Sequence, residues 1–525
     1  MLSAALSAFV VLAVPRGGDL AAHLYRTGLV RHGVLVWDNL WFSGQYPLSS
    51  YSLLYYLVAA VVGNAVLGIV GVVASAAIFA SIAQREWIAV GRWPARLFAV
   101  LLAGQAFTAA YPYDMGLAML LATLWALQRR RALLAACCTV LTLAFSPLAF
   151  VFLALALLAL FLRNPRVDRR AIVVGAAGLA AAGLQLAVLR VLPTPGLVYP
   201  YGAWRLLVGL AVAALGVAVS LRGRGGRPLA SLFLVWAAAT IVAYSIPSPV
   251  GHNLVRASTF VFPLMLLAAS LAEFRPRWLA AAALAGALAA NVGPYLTMIP
   301  DRSTDPAAGR AFWSPLLGYL AAHRAGDGFR VEVVPTANHW EAYYLPQAGY
   351  ALARGWYTQL DIGDNPALYR RTLAPSAYRR WLRGAGVRYV VVPRTSLGAV
   401  SSRREAALVS SGRSGLREVY SGRTGAIYRL LHAVPILTGP GSPTITALDH
   451  RTIAGRLSRP GRYLLRVHYT PYWRITSGSL CLTPAEDGMT ELEAFRAGVF
   501  SMRAIEAPLE VLGFLVGERS NACRR

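Results

Sequence analysis

Apolar runs nearly free of charge alternate with short polar breaks from the N-terminus to about residue 300. A helix needs about 20 apolar residues to cross hydrocarbon, fewer where it is partly buried in protein. Runs at about 1–15, 52–82, 97–112, 115–128, 132–146, 147–162, 171–192, 206–221, 228–245, 257–273 and 278–299 therefore read as spans, about 11 in all. The pairs flanking 111–114 and 146–147 are short enough to be hairpins that do not fully cross.

The pattern changes after Pro300. Apolar stretches at 329–334 and 388–392 read as strands flanking a helical stretch, 375–383, which predicts an α/β subdomain over 301–431. From 432 to 525, short alternating stretches at 462–469, 479–483, 498–503 and 509–516 are separated by Gly/Pro turns, the pattern of a β-sandwich. The expected architecture is a polytopic α-helical membrane domain over 1–300, followed by an α/β plus β-sandwich ectodomain. There is no internal repeat.

Composition supports the membrane reading, since 57% of the 525 residues are hydrophobic and only 14% are charged, against about 25% charged in soluble domains. The net charge is +27 and every basic residue other than His is Arg; with abundant Ala and Gly, this points to a GC-rich bacterial genome. Such an excess can mean nucleic-acid binding. Here the Arg residues cluster between apolar runs, so they read as topology signals and no nucleic-acid partner is expected. Arg85/Arg92/Arg96, Arg129–Arg131, Arg163/Arg166/Arg169/Arg170, Arg222/Arg224/Arg227 and Arg275/Arg277 alternate with Arg-poor, Pro/Tyr/Gly-rich breaks at 111–114, 146–147, 193–205 and 246–256. The first set is then cytoplasmic, leaving the loop 16–51 and everything beyond about 300 outside the bacterial plasma membrane. The run 1–15 lacks the basic start of a signal peptide and reads as a first helix. Cys137 and Cys138 sit in an apolar run; Cys481 and Cys523 could pair if their domain is extracytoplasmic.

The first outer loop carries the most chemistry. Asp19, His23 and Arg26 are spaced by four and three, one face of a helix. Asp19 stands at a membrane boundary, where an ionisable group is either functional or a cap. Trp37-Asp38, Trp41, Gly44, Tyr46 and Pro47 follow, and their aromatics also suit an interfacial belt. An acid after the first span, His23 four residues on, Gly33-x-x-x-Trp37-Asp38 and Trp41-x-x-Gly44-x-x-Pro47 together resemble the GT-C superfamily. More narrowly they are similar to bacterial membrane proteins of the YfhO and 6-pyruvoyl-tetrahydropterin-synthase-related type. Tyr469-Thr470-Pro471-Tyr472-Trp473 with Asp487-Gly488-Met489 is similar to the end of many such chains.

The resemblance implies a glycosyltransferase fed by a polyprenyl-phosphate sugar, with an envelope glycan or lipid as acceptor. Asp19 would be the general base or help hold a divalent cation, Mg or Mn. Chemistry alone asks for the same parts: a base on the incoming hydroxyl and cations on the leaving phosphate. Asp114 and Asp38 compete as second acid. His23, Arg205, His252 and Arg256 are the expected phosphate contacts, each of which also reads as an interfacial anchor or cap. Trp41, Tyr46, His339, Glu341, Trp356 and Asp361 combine the aromatic faces and polar groups a sugar or acceptor surface needs; a well-packed domain edge would look the same. His339 and Glu341 lack a third ligand for zinc. The chain has no P-loop, dinucleotide motif or Cys-x-x-Cys, which argues against a nucleotide-sugar donor. A non-catalytic scaffold binding envelope polysaccharide is the alternative. A transporter would place ionisable groups mid-span, whereas most here sit at span ends.

Overall fold

A computed structural model describes residues 17–49, 51–88, 90–165, 168–193, 198–222, 226–271, 305–323 and 328–505, with a few isolated positions. They form two compact units: Met1–Leu20, Tyr51–Arg190 and Pro195–Ser303 in the first, Ala21–Ser50, Val191–Thr194 and Thr304–Arg525 in the second. Residues 21–50, grouped above with the first 300, thus fold with the C-terminal part.

The first unit is helical. After α1 (Leu20–Arg31), which opens the second unit's first segment, come α2 (Tyr55–Val62), α3 (Asn64–Glu86), α4 (Arg92–Gln105), α5 (Tyr111–Gln128), α6 (Ala132–Phe145), α7 (Pro147–Arg163), α8 (Arg169–Val191), α9 (Ala203–Arg222), α10 (Arg227–Ser245) and α11 (Ser258–Leu271). Among the described residues, five helices are long and apolar enough to cross a membrane: α3, α8, α9, α10 and the run Gly251–Leu271 that contains α11. The chain is a membrane protein; the expected count of about 11 spans is not confirmed among the described residues. The runs 1–15 and 278–299 lie almost wholly outside the described residues.

Two expected spans have a different form. The run 52–82 breaks at Gly63, whose φ of +93° suits glycine and ends α2 before α3 begins. The run 97–112 is α4 followed by a 3-10 turn, Ala106–Thr108, closed by Ala109 at φ 56°. Tyr111–Asp114, read above as a loop, is instead the first turn of α5, where Pro112 loses no helical bond. At α7, Ser146 accepts from the Ala149 amide at 3.3 Å ahead of Pro147, a side-chain cap. Small residues let α3 and α5 pack closely: a Cβ at Gly71 would lie 2.9 Å from the Asp114 carbonyl carbon.

In the second unit, β1 (Arg330–Val333), β2 (Val387–Pro393), β3 (Arg417–Gly422) and β4 (Gly425–Arg429) form a sheet of order β1-β2-β4-β3. The β1–β2 pair is parallel and the others antiparallel. The helices are α12 (Arg310–Ala322), α13 (Glu341–Gln347), α14 (Thr358–Asp364), α15 (Pro366–Tyr369), α16 (Pro375–Gly384) and α17 (Val400–Ser410). Tyr378 and Leu382 of α16 and Val409 of α17 share a buried core with Val387 and Val390 of β2.

The remaining strands are β5 (Leu437–Thr438), β6 (Thr444–Leu448), β7 (Thr452–Leu457), β8 (Gly461–His468), β9 (Trp473–Ser477), β10 (Leu480–Pro484), β11 (Met489–Ala494) and β12 (Gly498–Ala504). They make two four-stranded sheets, β10-β11-β8-β5 and β6-β7-β12-β9. Leu465, Leu482 and Leu492 of one sheet and Ile453, Phe500 and Met502 of the other share one core, so the sheets form a sandwich. The expected strand at 509–516 is not seen: Glu510, Val511 and Gly513 are helical and the rest lies outside the described residues. Cys481 and Cys523 are joined by a disulfide with Cα atoms 5.0 Å apart.

Candidate active site

In the first unit, three stretches distant in sequence meet at one guanidinium. Arg256 is the penultimate residue of the 3-10 turn Gly251–Ala257, just before α11. Its Nη2 lies 3.5 Å from Asp19 Oδ2, and its Nη1 donates to Thr108 Oγ1 at 3.4 Å. It also sits over the Tyr113 ring, 5.5 Å from the centroid. The Asp19 amide donates to the Thr108 carbonyl at 3.3 Å, and a side chain at Gly17 would overlap the backbone of Phe107–Ala109. The segment ahead of α1 is thereby laid against the turn between α4 and α5. Thr108 donates its hydroxyl to the Gln105 carbonyl at 2.9 Å, and Gln105 Nε2 donates to Asp114 Oδ1 at 3.4 Å.

Asp114 is fully buried, and its second carboxylate oxygen has no hydrogen-bond partner among the described residues. It lies within the fields of both Arg256 and Asp19. Asp19 and Arg256 keep about a quarter and a fifth of their side-chain surface exposed, so this pair is the open side of the group. Tyr51, held at φ 82°, also acts electrostatically on Arg256; such backbone in a bulky residue persists where its surroundings over-determine it. His252 packs edge-on against Tyr199, with centroids 4.9 Å apart, and lies within the fields of Arg205 and Arg256. Gly251 permits this, because a Cβ there would overlap the Tyr199 carbonyl.

Five of the expected residues (Asp19, Asp114, Arg205, His252 and Arg256) thus share one neighbourhood. Thr108 and Gln105 join it without having been singled out, and Tyr51 joins it from the aromatic run that also suited an interfacial belt. Thr108 stood three residues ahead of Tyr111-Pro112-Tyr113-Asp114, and that proximity was the one local hint.

The other expected residues fall in the second unit, in structural roles. His23 is buried on α1. Asp38 is wholly buried, accepting from the Tyr25 hydroxyl and Gln45 Nε2, each at 2.9 Å, with His450 Nδ1 at 2.8 Å. Trp41 donates to the Ala342 carbonyl at 2.9 Å and stacks on Tyr25 at 4.8 Å. Tyr46 donates to Thr470 Oγ1 at 3.1 Å, and burial pushes its phenol up to about 12 despite that bond. These aromatics are core in place of the expected acceptor surface. Glu341 accepts from the Thr336 hydroxyl at 2.6 Å and its amide at 3.2 Å, with His339 Nδ1 at 3.1 Å. The rings of Trp356 and His339 are 6.3 Å apart. Asp361 is buried beside Arg354 and accepts from Asn365 and Tyr369, which consumes it structurally.

Arg354, missed in the sequence, organises a buried ionic cluster. Its guanidinium contacts Glu332, lies 2.5 Å from Glu405 and 3.8 Å from Asp361.

A divalent cation does not fit the Asp19 group. The position between its acids is served by a guanidinium, which repels a cation while neutralising the same carboxylates. Among the described residues, the group of His, Cys, Asp and Glu at mutual ligand distance is Cys481, Glu493 and Cys523, and its two cysteines are bridged.

No family model matches the chain, and no curated protein matches it. Among solved structures, the mycobacterial arabinofuranosyltransferase AftD, determined by single-particle cryo-EM, aligns with 88% of this chain at 16% identity and a TM-score of 0.45. The chain spans 40% of that protein's length.

Proposed function

We propose that this chain is a GT-C-type glycosyltransferase of the bacterial plasma membrane. It moves a sugar from a polyprenyl-phosphate donor to a glycan or lipid acceptor on the outer face. One observation carries the reading: a partly exposed carboxylate, Asp19, is paired to Arg256 beside the buried acid Asp114, with Arg205 and His252 in the same neighbourhood. Asp19 takes the proton from the acceptor hydroxyl as that oxygen bonds to the anomeric carbon. The anomeric carbon–phosphate oxygen bond breaks, and the polyprenyl phosphate leaves with the electron pair, held by Arg256, Arg205 and His252.

The 3.5 Å Asp19–Arg256 contact is loose for an ion pair. A donor phosphate competes for the guanidinium and releases the carboxylate for base catalysis, which couples donor binding to activation. The Cys481–Cys523 disulfide supports an oxidising, extracytoplasmic setting for the second unit, as does the Arg distribution between spans.

The test is turnover by purified protein in lipid with a panel of polyprenyl-phosphate sugars. Asp19→Asn should cost about 10²–10⁴-fold while the protein still folds and inserts. Unchanged turnover in Asp19→Asn would refute the base. Absence of turnover with every donor, in a protein whose second unit still binds glycan, would favour the non-catalytic scaffold.

A further inference from the structure

The second unit holds a cleft of about 510 Å³ that plays no part in the transfer chemistry above. Its floor includes Tyr25 and Leu29 of α1, both buried. Its rim carries Arg310, the first residue of α12; Arg451, from the turn between β6 and β7; and Arg503 of β12. The rings of His32 and His450 and the amide of Gln347 also line it.

One acid, Asp449, borders the cleft, and its Oδ1 accepts from the backbone amides of Arg451 and Thr452 at 2.8 and 2.7 Å. That carboxylate fixes the turn; among the described residues lining the cleft, three guanidiniums stand beside this one acid, and Arg451 Nη1 also donates to the Gly33 carbonyl at 3.3 Å. The turn is tied from two further sides. The Asn39 amide donates to the His450 carbonyl at 3.0 Å, and the Ala504 amide donates to the Arg451 carbonyl at 2.9 Å. A rim set this firmly loses little freedom on binding.

We infer that this cleft binds a negatively charged sugar unit, one or two rings bearing a carboxylate or phosphate ester. The volume is that of a small-molecule site. Guanidiniums recognise carboxylate and phosphate by paired hydrogen bonds. Gln347 and Thr452 supply the hydroxyl-matching groups that a bare anion would not use, and the apolar floor suits a ring face. The inference is independent of the transferase reading, because none of these residues belongs to the Asp19 group.

The experiment is equilibrium binding to the full chain in detergent or nanodiscs, using glucuronic acid, glucose 1-phosphate, glucose and inorganic phosphate. Glucuronic acid or glucose 1-phosphate should bind at least tenfold more tightly than either glucose or inorganic phosphate, and added salt should weaken binding. Arg310→Gln with Arg503→Gln, both at exposed positions, should lower affinity at least tenfold; Arg451→Gln should do the same. Glucose binding as well as its charged counterparts, inorganic phosphate binding as well as the sugars, no binding of either charged sugar, or indifference to all three substitutions would each overturn the inference. Asp19→Asn should leave binding intact, so failure here and failure of the transferase reading are separable.

Discussion

His450 and Asp38 meet at 2.8 Å across 412 residues of chain, tying the segment 21–50 to the turn between β6 and β7. Burial opposes charge on His450, but the hydrogen bond and charge of Asp38 outweigh it and raise the imidazole above its usual value of 6.5. A group whose pKa is raised on folding contributes stability fully below its unfolded pKa and loses that contribution as pH climbs through the folded one. The stability gap between wild type and His450→Gln should therefore be widest near pH ~5.5 and shrink toward pH ~8. Asp38→Asn should cost about 1–3 kcal/mol, since it leaves buried donors poorly matched. Thermal unfolding of the full chain across that pH range checks both, and a gap that widens with pH would refute the pairing.

Arg354 is the only cation contacting Glu332, Glu405 and Asp361 among the described ion pairs. Burial first, and then the charge of Glu405, lift Glu332 well above the ordinary carboxylate range, against the pull of Arg354. Glu332→Gln should be tolerated to within about 1 kcal/mol, because the amide oxygen can still accept from Arg354 and one of three acids crowded around a single guanidinium is removed. Arg354→Met should cost about 3–5 kcal/mol, because it strands buried carboxylates. Arg354→Lys should not restore the loss, since a point charge cannot reach three acids at once. Denaturation midpoints of the three variants decide it; equal losses for Glu332→Gln and Arg354→Met would contradict the central role of the shared cation.

What the sequence made legible was whatever is local. Long uncharged runs marked α3, α8, α9 and α10, and period-two alternation marked β8, β10 and β12. The break at Gly63 was hidden, since one glycine inside an apolar run looks like any other small residue. The fate of residues 21–50 was hidden for a different reason. Trp37 and Leu40 are buried in the core formed by sandwich strands, and Tyr46 bonds Thr470, 424 residues away. Aromatics that suited a sugar surface or an interfacial belt were core all along, since composition cannot distinguish these fates. The same limit hid Arg354, whose partners sit on β1, α14 and α17. Asp19, Asp114, Arg205, His252 and Arg256 were legible through charge, because each is an ionisable residue at the edge of an apolar run.

The disulfide offers a test of sidedness with a chemical readout. Cys481 and Cys523 are bridged, while Cys137 and Cys138 are free thiols. Protein denatured without reductant should take up maleimide at Cys137 and Cys138 alone, and reductant should unmask the other two. Loss of the bridge, which spans 42 residues, should lower stability by about 2–4 kcal/mol. Four reactive thiols in freshly isolated, unreduced membranes would place Cys481 and Cys523 in a reducing compartment and remove one support for an outer-face reaction.

Gly251 provides the sharpest test of the site's geometry, since it contributes no chemical group of its own. A methyl there would overlap the Tyr199 carbonyl oxygen, which accepts from the His252 amide at 2.9 Å. The backbone must yield, and the shift travels along the short turn to Arg256, five residues on, whose contacts to Asp19 and Thr108 are already near the limit of hydrogen bonding at 3.5 and 3.4 Å. Misplacing a catalytic group by about 1 Å can cost about 10²-fold in rate, so Gly251→Ala should lower turnover by roughly that factor. Gly202→Ala, at a glycine with nothing within 4 Å of its added carbon, should leave turnover unchanged. Parallel kinetics of the two variants, matched for expression and membrane insertion, provide the comparison. Equal activity would show that the turn before α11 does not position the reacting groups, leaving Arg256 as an anchor.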